Sequence, residues 1–314
     1  MRGSLNGIFP EEIKNMEKVM EIKLLETKMI NFDLIFNNEL YNSKMKKVLG
    51  DLEKKYTNYS DREMVYFICI RDKIRFDKIL DVKENIVINI FDSEFNIKEK
   101  REISAMLVRK RFGLDLYEGN LECTEDKIIY TFASKETFTI YIYDFIEVCS
   151  INLGVTSKIV YVGETDFPTE RPYDKAHDGM TQAIYKYKNL GNDIFIYYNL
   201  FHIIYKTKGI SDINIHVSNS LVEIFEKKSE GRFIQNALIY HLLPKGYSKN
   251  YKNEIGELRN KLKYISDEFN VTKVSLHYSV DHNSDFYIFY SELLSKTDKF
   301  NYSIKVLDNN IIYV

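Results

Sequence analysis

The 314-residue chain has no tryptophan, only four prolines and three cysteines, and a formal net charge of −2. Each shortage excludes something. Cys69, Cys123 and Cys149 are odd in number, isolated and without C-x-x-C spacing, which fits a reducing compartment and not a disulfide scaffold. The near balance of charge rules out a uniformly basic nucleic-acid coat and a polyanionic tail, and no single segment departs from it. Any phosphate contact must therefore come from a few placed cations. The most apolar run, Ile194 to Tyr205, is interrupted by Asn199 and His202 and is too short to span a bilayer. Met1 to Lys14 holds no apolar core, so no signal peptide is expected. These absences predict a cytoplasmic protein with no membrane partner. No internal repeat, low-complexity linker, H-E-x-x-H, P-loop or G-x-G-x-x-G occurs.

What is present is an ordinary folded composition, 45% hydrophobic and 29% charged, with 24 Tyr and 20 Phe. From Pro10 to about Tyr56 the spacing of Ile13, Met16, Met20 and Leu24 predicts helix. Ser60-Asp61-Arg62-Glu63 spells a capping box before the apolar run Met64 to Ile70. Ile86 to Phe91 alternates as a short strand does. Lys98 to Phe112 reads as one helix closed by Gly113, with Lys98, Arg101, Ala105 and Arg109 on one face. Such a stripe is a solvated face or a track for a phosphate backbone. From Lys127 the texture turns to strands: Ile128 to Phe132, Phe138 to Val148, Lys158 to Val162 and Asp193 to Tyr205. Helices follow near Leu221 to Lys228, at Arg232 to Leu243 before Pro244, and at Glu254 to Phe269. The end reads as strands at Lys273 to Val280, Phe286 to Tyr290, Tyr302 to Leu307 and Ile311 to Val314. His277, Asp281, His282 and Asp285 gather near a turn, where surface hairpin chemistry is the ordinary meaning and metal binding the sharper one.

Residues 141–177 form the constellation with chemical content. Tyr141-Ile142-Tyr143 reads as the end of one strand, and Tyr161-Val162-Gly163 as the end of the next. Eight residues on comes Arg171, held between Pro168 and Pro172. His177 follows. An arginine fork suits two phosphate oxygens, and tyrosine and histidine can handle a proton near an attacking water. Lys186 and Lys188, beside Tyr185 and Tyr187, are further candidate phosphate contacts.

On these residues the sequence resembles the GIY-YIG endonuclease family. Tyr141-Ile142-Tyr143 is similar to its first motif and Tyr161-Val162-Gly163-Glu164-Thr165 to its second. Arg171 and His177 sit near the family's arginine and histidine. Gln235-Asn236-Ala237-Leu238-Ile239, with Pro244 beyond, is similar to its metal-binding helix. The resemblance covers residues 138–250. It implies an α+β module with a small central antiparallel sheet flanked by helices. It also implies phosphodiester hydrolysis of double-stranded DNA with one divalent cation, Mg²⁺ or Mn²⁺. Tyr143 and Tyr161 would then manage the water and its proton, Arg171 would steady the phosphate, and His177 would assist. Residues 1–137 are expected to be a mostly helical region for recognition or dimerisation, and residues 251–314 an α/β extension. Cutting both strands would favour a homodimer, and the large flanks suggest a restriction or defence nuclease by analogy.

One position departs from that pattern. Gln235 stands where the family carries its metal-binding glutamate, and a neutral amide is a weaker ligand for a hard cation than a carboxylate. Three readings follow: an introduced substitution that silences cleavage, a natural loss that leaves a nucleic-acid-binding or regulatory protein, or a substitute carboxylate such as Glu226 or Glu230. Glu230 lies about 140° from Gln235 around a continuous helix, which counts against it. Because Gln is nearly isosteric with Glu, the first reading is preferred.

Overall fold

The computed structural model describes all residues except 1–14, 38, 59–62, 78–84, 93, 115–119, 171–177, 189, 209–213, 226, 249, 283, 308–309 and 314. Along the chain come β1 (Lys18–Asn31), α1 (Phe32–Asn37), α2 (Glu39–Asn58), β2 (Glu63–Arg71), β3 (Ile74–Phe76), β4 (Asn85–Phe91), β5 (Ile97–Ser104) and α3 (Ala105–Phe112). Then follow β6 (Asn120–Cys123), β7 (Lys127–Thr131), β8 (Thr137–Tyr141), α4 (Ile142–Cys149), β9 (Ser157–Glu164), α5 (Asp178–Lys188), β10 (Asp193–Lys208) and β11 (Asn214–Ser218). The last part holds α6 (Asn219–Val222), α7 (Lys227–Leu242), α8 (Tyr251–Phe269), β12 (Val271–Ser279), β13 (Phe289–Tyr290), β14 (Lys299–Leu307) and β15 (Asn310–Tyr313).

Nine strands form one sheet in the order β13-β9-β2-β10-β1-β12-β14-β15, with β11 paired to β10. Two three-stranded sheets, β3-β4-β5 and β6-β7-β8, stand beside it. The large sheet is mixed: β1 runs parallel to β12 and β13 to β9, while β2 runs antiparallel to β9 on one side and to β10 on the other. Each face has its own core. Val65, Phe67, Cys69, Val162 and Tyr197 point to one, which α7 and α8 cover with Phe233, Leu238, Leu258 and Leu262. Tyr66, Ile68, Ile196 and Tyr198 point to the other, covered by Leu49 and Leu52 of α2 and Met180 and Ile184 of α5.

Several expectations need correction. The segment expected to be mostly helical, 1–137, contributes strands β1 to β7. In β1, Met20 and Ile22 alternate with Glu21 and Lys23 and are fully buried, so the period of two prevails over the helical spacing. Pairing to β10 on one side and β12 on the other settles that choice. The run Met64 to Ile70 is not a capped helix; it is β2, buried at every residue, as a strand covered on both faces must be. Lys98 to Phe112 is not one helix either. β5 runs to Ser104, whose Oγ accepts the Met106 N–H and starts α3 there, so Lys98, Arg101 and Arg109 share no helical stripe. Gly113 does close that helix, at φ 68°, with its N–H on the Arg109 carbonyl. The block 138–250 shares its sheet with neighbours from both flanks, because β2 lies between β9 and β10 and β1 lies beyond β10.

Candidate active site

Tyr143 and Tyr161 are not brought together on adjoining strands. β8 ends at Tyr141 and pairs with β7 in a separate sheet. Tyr143 belongs to the first turn of α4 and packs with the core face that holds Phe195 and Phe286. Tyr161 packs with the opposite face. The physical cause is periodicity. Ile142, Tyr143, Phe145, Ile146 and Cys149 are buried at helical spacing, so the chain coils immediately after the strand.

Tyr143 is instead part of a closed polar cluster. Its hydroxyl donates to the Asp193 carboxylate and accepts from Arg75 Nη1 at 3.2 Å. Arg75 grips Asp193 with both fork nitrogens at 3.0 Å and reaches Asp126 through Nε at 3.1 Å. The Ile74 N–H also donates to Asp193, at 3.1 Å. Burial, and then the charge on Asp193, push the Tyr143 phenol well above its ordinary pKa. It is a poor base and a firm structural peg.

The tyrosine that neighbours the second motif is Tyr66 of β2. In the β2–β9 register Tyr66 faces Gly163, Ile68 faces Tyr161 and Val65 faces Glu164. A Cβ at Gly163 would lie 2.4 Å from the Tyr66 ring and hydroxyl oxygen, so glycine is needed for the ring to cross the strand. The Tyr66 and Tyr161 ring centroids are 6.0 Å apart. Tyr66 is buried, while Tyr161 opens on a cleft of about 220 Å³ that Lys158, Lys186, Tyr187, Pro244, Tyr247 and Ser248 also line. The Tyr247 hydroxyl donates to Glu254 Oε2 at 3.0 Å, and burial followed by that carboxylate's charge keeps its proton on.

The other expected cations are dispersed. Lys98 pairs with Asp72 at 3.1 Å and Arg101 with Glu99 at 2.7 Å. Arg109 lies in the exposed last turn of α3, and Lys188 pairs with Asp33 at 3.1 Å. Of these five lysines and arginines only Lys186 shares the Tyr161 cleft. Arg171 and His177 lie outside the described residues. The histidines near the C-terminal turn do not converge: His277 meets Asn301, His282 lies 3.7 Å from Glu147, and Asp285 accepts the Gly154 N–H. Among the described residues no three histidines, cysteines or carboxylates form a metal-holding group.

Gln235 sits on α7, 8% exposed, and its Oε1 has no hydrogen-bond partner. A buried oxygen left without a donor costs free energy, and a cation would satisfy it. One turn earlier, Gly231 meets the end of β9. A Cβ there would be 3.2 Å from Glu164 Oε2 and 3.5 Å from Glu63 Oε2. Arg232 reaches Glu164 at 3.3 Å and Glu257 at 3.1 Å, contacts that raise its pKa. Of the substitute carboxylates expected from sequence, Glu230 is buried and accepts from Asn219, and Glu226 lies outside the described residues.

Sequence reasoning passed over Tyr66, Glu63, Lys158 and Tyr247. For Tyr66 the signal was a tyrosine in a fully apolar strand, but residues 72–156 separate it from the strand it pairs with. Glu164 stood inside the quoted motif without a role.

The fold is a mixed α/β one whose large sheet carries two adjoining tyrosines on one face, with a buried amide and two carboxylates near α7 on the other. Compared with family models, curated proteins and solved structures, the chain matches none of them. Among the described residues no helix is long and apolar enough to cross a membrane.

Proposed function

We propose that the protein is a divalent-metal-dependent endonuclease of double-stranded DNA, of the restriction or defence kind, resembling GIY-YIG enzymes with Tyr66 in the place first given to Tyr143. One observation carries the reading. Tyr161 stands on the lip of a cleft with two lysines, Lys158 and Lys186, while Tyr66 lies beside it over Gly163. The lysines offer point charges to a phosphodiester. Tyr161 would orient the attacking water and relay its proton, passing its own phenolic proton to a further water as it takes up the first, with Tyr66 holding that ring in position. The water oxygen bonds to phosphorus, one P–O ester bond breaks, and the departing oxygen takes a proton. Gln235 marks the cation position of the resemblance; it stands on α7, over the sheet face opposite to Tyr161, and a Mg²⁺ or Mn²⁺ there would supply positive charge. Two copies of the chain would provide one site per strand.

A second reading, a nucleic-acid-binding or regulatory protein that does not cut, is favoured by the neutral amide of Gln235 and by Arg232 already seated on Glu164. Plasmid cleavage in Mg²⁺ and in Mn²⁺ separates the two. The endonuclease reading expects the Gln235→Glu chain to nick DNA, with that activity lost on adding Tyr161→Phe. A folded Gln235→Glu chain that binds DNA in a salt-dependent way and never cuts it would establish the binding protein.

A further inference from the structure

We infer that this chain supplies its own carboxylates for a divalent cation, from Glu63 and Glu164, with the Gln235 amide oxygen as a third donor. The inference rests on the nuclease reading for what the cation does, not for whether it binds. Three observations converge on the turn of α7 at Gly231. First, the carboxylates of Glu63 and Glu164 both reach the surface of that turn: a Cβ at Gly231 would lie 3.2 Å from Glu164 Oε2 and 3.5 Å from Glu63 Oε2. Glu63 is buried on β2 and Glu164 is at the end of β9, so two different strands aim acid at one small space. Second, Gln235 is one turn further along, and helical side chains lean back over the turn that precedes them. That spacing puts Gln235 on the same face of α7 as Gly231, and its Oε1 is buried without a partner. Third, the donors are all oxygens and two carry charge, which is the preference of Mg²⁺, Mn²⁺ and Ca²⁺.

Arg232 occupies the place of a counter-ion. It is half exposed and forks between Glu164 and Glu257. It can keep Glu257 and release Glu164, so a metal ion and this guanidinium compete for the same carboxylate. That competition gives the inference a signature that a purely structural ion pair lacks.

The test is calorimetric titration of the intact chain with MnCl₂, without nucleic acid. Glu164 is partly exposed and Gln is its isostere, so Glu164→Gln keeps the fold; a melting curve checks this. The expected result is Mn²⁺ binding that falls at least about tenfold in Glu164→Gln and rises several-fold in Arg232→Gln. Glu63→Gln should weaken binding likewise, and Mn²⁺ should raise the melting temperature of the parent but not of Glu164→Gln. No Mn²⁺ binding by the parent at millimolar concentration, or equal binding by parent and Glu164→Gln, overturns the inference. In either case, cleavage by Gln235→Glu would still support the nuclease. Conversely, Mn²⁺ binding that needs Glu164, without cleavage by any version, keeps the site and removes the nuclease.

Discussion

Two polar clusters in this molecule differ in how completely their atoms are paired. Around Tyr143, Asp193 takes four contacts, from the tyrosine hydroxyl, two guanidinium nitrogens and a backbone N–H. Around Gly231, two carboxylates crowd one helical turn and the nearest amide oxygen has no donor. A fully paired buried network rigidifies a core, whereas an incompletely paired one costs stability and persists where it serves something else. The first cluster ties α4 and the β3 hairpin to the central strand β10. The second lies where the end of β9 meets the turn of α7 at Gly231. The tyrosine that looked catalytic from its spacing belongs to the first, and the donorless amide oxygen of Gln235 belongs to the second.

The sharpest way to break the comparison is to remove the centre of the paired cluster. Asp193→Ala leaves Arg75 buried without its main counter-charge, and should cost about 3–5 kcal/mol in urea unfolding. Tyr143→Phe deletes the hydroxyl's two hydrogen bonds, to Asp193 and from Arg75, and should cost at least about 1.5–3 kcal/mol. Neither change should alter Mn²⁺ affinity in the folded fraction. If Tyr143→Phe left stability untouched but abolished metal-dependent cleavage, Tyr143 would return to the site and the contrast would collapse.

Much of the fold was legible in the sequence, and the exceptions have physical causes. β9, β10, α7, α8, β12 and β14 announced themselves as strand-like runs or by helical spacing, the first of the two helices stopped before Pro244. β1 and β2 did not. Met16, Met20 and Leu24 satisfy a helical period while Met20, Ile22 and Leu24 satisfy a strand period, and only pairing on both edges decides. The candidate site was half legible for a related reason. Tyr161, Gly163, Lys186 and Gln235 lie in one stretch and were found. Tyr66 and Glu63 meet them only through antiparallel pairing across residues 72–156, which no local pattern reports.

A smaller effect probes α7 at its other end. His241 lies in the last turn, stacked 4.1 Å from the Tyr302 ring at 13° and 6.0 Å from Phe300. The helix C-terminus would favour the protonated imidazole, but burial outweighs it and lowers the pKa to about 4. The folded state thus holds a proton less tightly than the unfolded chain, whose histidine titrates near the ordinary value of 6.5. The contribution is complete above pH 6.5 and is lost as pH falls through about 4. Allowing for partial exposure, the loss should be about 1–2 kcal/mol. His241→Phe should flatten the stability profile over that window. An unchanged profile would place the acid sensitivity elsewhere.

The smallest expected effect is the most telling about the open cluster. Gln235→Met has nearly the volume of glutamine but no orphaned oxygen. In a paired site such a change is costly, because partners lose their bonds; here Oε1 has none to lose. Removing a buried, unsatisfied group should leave stability unchanged or raise it by up to about 1 kcal/mol, since the desolvation cost of the oxygen disappears. Mn²⁺ binding should weaken in the same variant, because one of three donors is gone. Stability kept or gained while cation affinity falls is the mark of a residue retained for binding. A loss of 2 kcal/mol or more, on the order of the Tyr143→Phe change, would show that Gln235 is a structural peg like Tyr143 and that α7 holds no cation through it.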